Sequence, residues 1–313
     1  MSRVARLAVA VLQIAAVLAA VFTLTAVLPG DTAIVIAGEH ATDEQVAALR
    51  ERLQLDRPAH ERFLDWTGGL LHGDFGTSLL TGEPVADQLA RGVATTALLT
   101  ILTLTLVIPL ALGIGMASGM RQGSRTDRAL SSVAVLLNSV PEFALGLLLI
   151  GLLCVQAGWL PATAAGLSGW SLASEPAVLV LPVAVLVSKQ LCALARQVRI
   201  GVAEATCAEY AIHARLLGLP ERTVLARHVL PNAVRPAVQQ LARTVDGLLG
   251  GVVVVEALFA LPGLGSAFVD AVKARDLPAV QGYALVFAAT TVAINLLADL
   301  AARRLVPQRE MVA

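Results

Sequence analysis

Six long apolar runs constrain this chain more strongly than any other feature of its sequence. A helix needs about 20 apolar residues to cross the hydrocarbon core of a bilayer, and 57% of the 313 residues are hydrophobic. A buried core helix could explain one such run, but not all six. We therefore expect an all-α integral membrane protein with six transmembrane helices. The runs lie at about residues 4–28, 93–120, 129–157, 177–194, 234–258 and 282–302.

The distribution of lysine and arginine predicts how these helices are oriented. Cytoplasmic connections of membrane proteins carry an excess of both residues. Here basic residues cluster at both termini, in the connection 121–128 and across 189–235, whereas the connection 159–176 has none. In segment 30–92, acidic residues outnumber the arginines. We therefore predict that both termini are cytoplasmic and that segment 30–92 is external.

This arrangement divides the chain into three parts. Residues 1–29 are expected to form the first transmembrane helix, because the run is too long for a signal-peptide core and lacks a clear cleavage site. Residues 30–92 form an external loop that caps the outer face. Residues 93–313 form a five-helix membrane core, which includes a cytoplasmic loop at 199–233.

The external loop carries signals for helices of its own. Thr42 and Gln45 are spaced as a capping box, in which each side chain satisfies a free backbone N–H at a helix start. A second helical stretch is expected over 60–71, followed by glycine-rich turns. We predict a small folded cap with Trp66 and Asp74 as candidate docking residues; the alternative is a structural lid that binds no partner.

The cytoplasmic loop contains a polar, basic stretch, 209–231, between two apolar runs. Thr206 and Glu209 are spaced as a capping box. Gly218 can end the following helix in a left-handed conformation, and Pro220 stands where a second helix can begin. We expect a water-exposed loop with such defined helix ends to be a docking site for another protein.

No constellation of residues predicts catalysis by this chain. The sequence lacks a GxxxxGK(S/T) phosphate loop, an HExxH zinc motif and a serine nucleophile elbow. The glycines in 113–119 lie in an apolar run without a lysine and indicate close helix packing. The three cysteines suit neither a disulfide framework nor a metal site, and zero net charge argues against nucleic acid. We expect no catalytic residue, metal or cofactor on this chain, and a membrane enzyme is the weaker hypothesis.

Polar residues inside the apolar runs are candidates for a translocation path. A charge inside the membrane is costly and usually faces the protein interior or a water-filled cavity. Pro141 is expected to loosen the third helix and to free backbone groups nearby. Polar residues of this kind can line a path or form hydrogen bonds between helices. A proton-coupled secondary transporter would use one carboxylate as its proton site. The candidates are Asn138, Ser139, Glu142, Asp246 and Glu256.

The cytoplasmic loop resembles that of a known family. Permeases of ABC importers carry the pattern EAA-x3-G-x9-I-x-LP in a loop that docks on the ATP-hydrolysing subunit. The residues that match this spacing are Ala214, Gly218, Leu230 and Pro231, and the departures are Ile212, His213 and His228. The missing acidic residue at position 212 shifts the expected contact to its neighbours. The resemblance therefore implies a set of ATPase-coupling residues: Glu209, Ala214, Arg215, Gly218, Leu230 and Pro231.

Further blocks are similar to the peptide/nickel branch of these permeases, and in particular to the first permease of dipeptide and oligopeptide importers. They occur in the expected order along nearly the whole chain. The blocks are LPGD at 28–31, GDFGTS at 73–78, TGEPV at 81–85, the segment 253–265 and the segment 275–282.

The resemblance implies a permease subunit in a bacterial cytoplasmic membrane. Its expected partners are a second homologous permease, ABC ATPase subunits that bind ATP and Mg, a solute-binding protein and the lipid bilayer. The expected substrates are dipeptides and oligopeptides, with glutathione-like compounds or nickel–chelator complexes as alternatives. The resemblance also implies a short coupling helix at about 207–217 that ATP-driven closure of the ATPase subunits would pull inward.

Overall fold

The protein is almost entirely helical in the part of the chain that the structure describes. The computed structural model describes residues 3–27, 32–37, 41–52, 56–164 and 166–305. Within these residues no strand forms apart from an isolated bridge between Thr77 and Pro84. The N-terminal helices are α1 (Arg3–Val27), α2 (Thr32–Ala37), α3 (Asp43–Arg52) and α4 (Ala59–Leu70).

Nine further α-helices follow in the described chain, with a 3-10 helix over Gly169–Ser174. Short π-helical turns extend one of them over Ile150–Gln156 and join two others over Leu225–Val229. The helices are α5 (Val85–Gly119), α6 (Arg125–Ser139), α7 (Glu142–Leu149), α8 (Pro176–Cys207), α9 (Glu209–Leu216), α10 (Glu221–Val224), α11 (Leu230–Leu258), α12 (Leu264–Lys273) and α13 (Leu277–Leu305).

Several of these helices are long and apolar enough to cross a membrane. Among the described residues they are α5, α8 and the Leu277–Leu297 part of α13, with a fourth if α6 and α7 together form one span. The apolar part of α1, Val11–Thr25, is shorter. The all-helical membrane architecture is thus confirmed, whereas the number of six spans stays a prediction.

The core is built where α8 packs between α5 and α11. Two glycines of α5 allow α8 to approach closely. A Cβ at Gly115 would lie 2.5 Å from the Cβ of Val198, and one at Gly119 would lie 2.8 Å from the carbonyl oxygen of Arg199. The sequence-based expectation of close packing is confirmed at these two positions, but Gly113 has no neighbour within 4 Å. Small residues four apart are a common device for such contacts in membranes.

The sequence predicted that the third apolar run is one helix loosened at Pro141. The structure shows instead two separate helices. The run breaks at Val140 and Pro141 into α6 and α7, whose axes differ by 96°. Lys189 of α8 donates a hydrogen bond of 2.8 Å to the carbonyl oxygen of Asn138, one of the groups left free at the end of α6. Proline therefore ends the first segment, and a side chain from a neighbouring helix stabilises the break.

Three helix boundaries also differ from the expected ones. α5 begins at Val85, inside the segment assigned to the external loop, because Val85 and Leu89 are buried against α12 and α13. α8 continues to Cys207, beyond the expected end of its apolar run, since Val198 and Val202 on its inner face remain buried. The cytoplasmic loop assigned to 199–233 is correspondingly shorter, and only 208–229 lies between α8 and α11.

The helices of the N-terminal loop match the sequence pattern closely. Thr42 and Gln45 form the expected capping box at α3: the Thr42 N–H donates to Gln45 Oε1 at 3.0 Å, and the Gln45 N–H to Thr42 Oγ1 at 3.3 Å. The stretch expected at 60–71 is α4. Glycines with positive φ form the turns that follow. The LPGD block at 28–31 lies outside the described residues.

Candidate functional site

The most sharply defined feature of the 208–229 loop is the end of α9. Gly218 adopts a left-handed φ of 77°. Its N–H donates to the carbonyl oxygen of Arg215 at 2.9 Å, and the N–H of Leu219 donates to that of Ala214 at 3.2 Å. This pair of bonds is the Schellman motif that commonly closes helices at glycine. The left-handed stop expected from the sequence is confirmed, and Pro220 precedes α10 as expected.

The two faces of α9 differ in their surroundings. Ala211 and Ala214 are buried in a cluster with Val224, Val229 and other residues of α8 and α11. Large apolar side chains away from the core are exposed: Ile212 is 47%, Leu216 80% and Leu217 68% accessible. Ala214 thus holds α9 on the core, and two of the departures from the family pattern, Ile212 and His213, are exposed on α9. This exposed face is a surface that another protein can cover.

Arg215 fixes α9 to its neighbours on both sides. Its guanidinium donates to both carboxylate oxygens of Glu221 at 2.9 and 3.0 Å, and to the carbonyl oxygen of Thr206 at 2.9 Å. The hydrogen bonds from Arg215 lower the pKa of Glu221. These contacts give Arg215 a bracing role within the loop.

The prediction that Thr206 and Glu209 form a capping box is wrong. Thr206 lies within α8 and donates to the carbonyl oxygen of Val202 at 2.6 Å. Ala208 stands at the start of α9, and no side chain caps the helix there. The spacing matched the motif, but α8 extends too far for Thr206 to serve as a cap. Glu209 is exposed in the first turn of α9.

The last two coupling candidates open α11. Pro231 is exposed where the π-helical turn Leu225–Val229 continues directly into α11. Leu230 is half-buried and lines an apolar cavity of about 260 Å³ together with Met116 and Met120 of α5 and Leu225. Leu230 therefore links the loop to the end of α5.

At the other end of the molecule, Asp276 anchors the loop that follows α4. Its buried carboxylate accepts a hydrogen bond from the Ser78 hydroxyl, and from the N–H groups of Leu79 at 3.1 Å and Leu80 at 3.4 Å. It also accepts from the N–H of Ala279 at the start of α13, at 3.3 Å. Two sequence blocks separated by almost 200 residues thus form one contact.

The two docking candidates near this loop differ in accessibility. Trp66 packs with Phe63 and with Phe22 of α1, at ring-centroid distances of 6.3 and 6.4 Å. These contacts favour a structural role for Trp66 in holding α4 against α1. Asp74 is exposed, and its carboxylate accepts from the N–H of Gly76 at 2.8 Å. Asp74 can therefore meet a partner, although it also stabilises the turn.

Glu256 lies at the centre of a buried network between three helices. It is fully buried and accepts from the Thr96 hydroxyl of α5 at 2.6 Å. It also accepts from the N–H groups of Gly265 at 2.7 Å and Ser266 at 3.1 Å, in the first turn of α12. A Cβ at Gly263 would overlap its carboxylate. For Glu256 the geometry favours hydrogen bonding between helices over lining a path.

The remaining path candidates lie around the break between α6 and α7. Asn138 and Ser139 are exposed at the end of α6, and Glu142 is half-buried at the start of α7. A Cβ added to Gly251 of α11 would lie 2.9 Å from Glu142 Oε1, so the carboxylate lies against this glycine. Glu142 is partly accessible and remains a candidate for contact with a permeating molecule.

Asp246 connects α11 with α13. One carboxylate oxygen accepts a hydrogen bond of 3.0 Å from the side-chain amide of Asn295. The other oxygen, Oδ1, is buried and has no hydrogen-bond partner among the described residues. Asp246 therefore combines a contact between helices with free acceptor capacity, and both alternatives raised by the sequence stay open for it.

Comparison with known proteins identifies the family. The model for binding-protein-dependent transport system inner membrane components matches residues 108–310, and the model for the N-terminal part of such components matches residues 2–100. This chain belongs to that family. It is accordingly a multi-pass component of the inner membrane, and the alternatives of a membrane enzyme and a proton-coupled secondary transporter do not fit it.

Curated relatives of this inner membrane component are similar over nearly their whole length. A probable peptide ABC transporter permease of Sinorhizobium fredii is 34% identical over 286 residues, which cover 90% of each chain. A glutathione transport system permease of Escherichia coli is 34% identical over 279 residues, and that of Salmonella typhi is 35% identical over 279 residues, in both cases with 89% of each chain covered.

A solved structure independently supports the fold of this chain. The crystal structure of an amino acid ABC transporter with histidines superposes with a TM-score of 0.55 at 19% identity. The superposition covers 70% of this chain and 94% of that one. At this level of identity the likeness concerns the fold alone.

One buried ion pair of this permease was missed by the sequence analysis. Asp127 near the start of α6 binds Arg199 of α8 with two hydrogen bonds of 2.6 and 2.8 Å, and it also accepts from the N–H of Gly123 at 2.9 Å. Ser124 caps α6 by accepting from the Asp127 N–H. The spacing of Ser124 and Asp127 is a capping-box signal that could have located the residue, although not its partner.

Proposed function

We propose that this chain is the permease subunit of an ATP-driven importer and that its energy comes from ATPase subunits docked on α9. The exposed apolar face formed by Ile212, Leu216 and Leu217 carries this proposal. Apolar side chains on a loop that faces water favour burial against a partner by about 25 cal/mol for each Å² covered. ATP and Mg would be bound by those subunits.

The contacts of α9 give the proposal a mechanical basis. Arg215 braces α9 against the end of α8 and the start of α10, and Ala214 packs it onto the core. A displacement of α9 would therefore be transmitted to α8 and α11 as rigid elements. Glu256 joins α11 to α5 and α12, so the displacement would reach the opposite end of the bundle. Closure of two ATPase subunits would in this way switch the permease between two states.

The topology and partners complete the proposal. We place both termini and α9 in the cytoplasm and the α2–α4 cap outside, with six spans in all, because basic residues concentrate on the α9 side. A solute-binding protein would deliver substrate to the outer face, where exposed Asp74 is the candidate contact. A second homologous permease would complete the path beside Glu142.

For the substrate, we propose short peptides. The names of the similar permeases specify peptide in one case and glutathione in others. Transport into proteoliposomes with the cognate binding protein should be saturable with dipeptides or oligopeptides. Uptake of glutathione or of a nickel–chelator complex without peptide uptake would contradict the peptide proposal while leaving the ATPase docking untouched.

Copurification tests the docking of the ATPase subunits. Leu216→Asp places a charge in the exposed apolar face without touching the core, and should reduce recovery of the ATPase subunits about tenfold or more, as expected for an interface hot spot. Leu71→Asp is the matched control, because Leu71 is 87% exposed in the loop that follows α4. Equal recovery with both variants would refute docking on α9.

A further inference from the structure

A cavity of about 320 Å³ lies between α5, α6 and α8, outside the features used for transport. This size is at the lower end of the range for ligand pockets, ~300–1,000 Å³. Its walls are mostly apolar and include Ile114, Ala134 and Val135. Arg196, Ser118 and Ser131 add polar groups to the lining. The cavity therefore combines an apolar wall with a small polar region.

Arg196 supplies a positive charge to this cavity. The neighbouring Arg199 is already bound by both carboxylate oxygens of Asp127. The hydrogen bond shown for Arg196 is a weak one, with its Nη2 3.8 Å from the sulfur of Cys192. Among the described residues no carboxylate pairs with Arg196. The cavity thus keeps one uncompensated cation.

Ser118 gives a second, independent indication of a ligand. Its side chain is 2% exposed, and its hydroxyl has no hydrogen-bond partner within the described chain. A buried hydroxyl without a partner is destabilising, and this one lines the cavity. A ligand with an oxygen acceptor would satisfy it.

The length of α8 places Arg196 at the depth of lipid headgroups. The helix has 32 residues and is ~48 Å long, whereas the hydrocarbon core is ~30 Å thick and takes about 20 helical residues. Arg196 lies 20 residues after Pro176, the first residue of α8, and the exposed Trp170 precedes that start as an interfacial anchor would. Val135, also exposed, lines the cavity.

We propose that this cavity binds one anionic phospholipid. Its phosphate would accept hydrogen bonds from Arg196, an oxygen of its headgroup region would accept from Ser118, and an acyl chain would cover Ile114 and Val135. Basic pockets between helices on the cytoplasmic side suit this class of lipid. The bound lipid would fill the space beside the α8 segment that leads to α9.

Native mass spectrometry of the complete importer tests the proposal. The complex is reconstituted in nanodiscs of phosphatidylcholine with a minor fraction of phosphatidylglycerol, extracted, and the retained lipid is counted. The wild type should retain one more phosphatidylglycerol than Arg196→Ala, whose occupancy should fall about tenfold or more, as expected for a lost charge-assisted hydrogen bond. Arg222→Ala is the matched control, because Arg222 lines the apolar cavity at Leu230 instead.

Two further arms separate the alternatives. Val135→Trp should obstruct the cavity and lower retention while leaving Arg196 in place, which covers the case that Arg196→Ala perturbs folding. An excess of inorganic phosphate should not displace the lipid. Equal phosphatidylglycerol retention in the wild type, Arg196→Ala and Val135→Trp would overturn the proposal. Displacement by phosphate would instead assign the cavity to a free anion and would equally contradict the lipid.

Discussion

Buried acidic residues join segments of this permease that are distant in the sequence. Glu256 connects α11 with α5 and α12, and Asp276 connects the loop after α4 with α13. Asp127 connects α6 with α8 through Arg199. In each case hydrogen bonds from several donors offset the cost of removing a carboxylate from water. These residues determine how the helices are arranged around the apolar core.

Replacing Glu256 should destabilise the protein substantially. Glu256→Ala leaves the Thr96 hydroxyl and the first N–H groups of α12 without an acceptor, at about 1–3 kcal/mol for each unsatisfied group. We expect a marked fall in the thermal unfolding temperature measured in detergent. Glu256→Gln retains the shape and one acceptor oxygen, so its unfolding temperature should lie between those of the wild type and Glu256→Ala. An unchanged midpoint for Glu256→Ala would contradict the network.

Substitutions at Gly218 can separate the effect of its left-handed backbone from the effect of side-chain size. Nothing lies within 4 Å of a Cβ added there, so a side chain meets strain from the left-handed backbone and not a clash within the chain. Gly218→Val should cost about 1–2 kcal/mol and impair substrate-stimulated ATPase activity. Gly218→Asn, which tolerates this conformation, should retain the helix end. If both variants retain full coupled activity, the turn is not part of the docking surface.

Some properties of single residues could be predicted from the sequence. Glu256 was predicted to be a costly intramembrane carboxyl and Gly218 to be a helix stop, because apolar runs and glycine conformations are local properties. The sequence could not decide between a path and an interhelical contact for Glu256. That choice depends on Thr96 and Gly265, which belong to other helices.

At the scale of elements, apolar runs located the helices better than their ends. α8 continues to Cys207 because its inner face stays buried after the run becomes polar, and the expected cap at Thr206 was wrong for that reason. The break at Pro141 was expected only as a loosening. Its angle of 96° depends on contacts with α8 and α11, including Lys189, that local patterns do not contain.

The anchor at Asp276 makes a prediction for the loop after α4. Asp276→Asn removes one acceptor oxygen and should loosen the segment at Ser78 and Leu79, because both donate to this carboxylate. Hydrogen–deuterium exchange of that segment should rise several-fold while exchange in α9 stays unchanged. Asp74→Asn is the control, since Asp74 is exposed and bonds to Gly76 alone in this loop. Similar exchange in both variants would argue against the anchor.

The pair of Arg215 and Glu221 predicts a pH dependence for the α9–α10 turn. Arg215 holds the pKa of Glu221 below its ordinary value. The stabilisation is therefore present above that ordinary value, ~4.3, and is lost as the pH falls through the lowered pKa. The protection of amides 215–221, taken relative to their intrinsic exchange rates at each pH, should fall in that acidic range, and Glu221→Gln should show the lower protection already at neutral pH. Wild-type protection that does not change with pH would contradict this account.

At the scale of the whole molecule, the resemblance carried by short blocks predicted the family correctly. The blocks at 73–78 and 275–282 are almost 200 residues apart in the sequence, and the structure brings them together at Asp276. The exposed faces that are available to other subunits could not be predicted in this way. They depend on which side of each helix the core covers, as for Leu216 and Leu217 on α9.

The most direct measurement of the central claim is site-specific photocross-linking in the assembled importer. A photoreactive side chain at Leu217, on the exposed face of α9, should cross-link to the ATPase subunit. The same probe at Leu71, which is also exposed and follows α4, should give no ATPase adduct. An ATPase adduct from position 71, or none from position 217, would contradict both the docking on α9 and the orientation in the membrane.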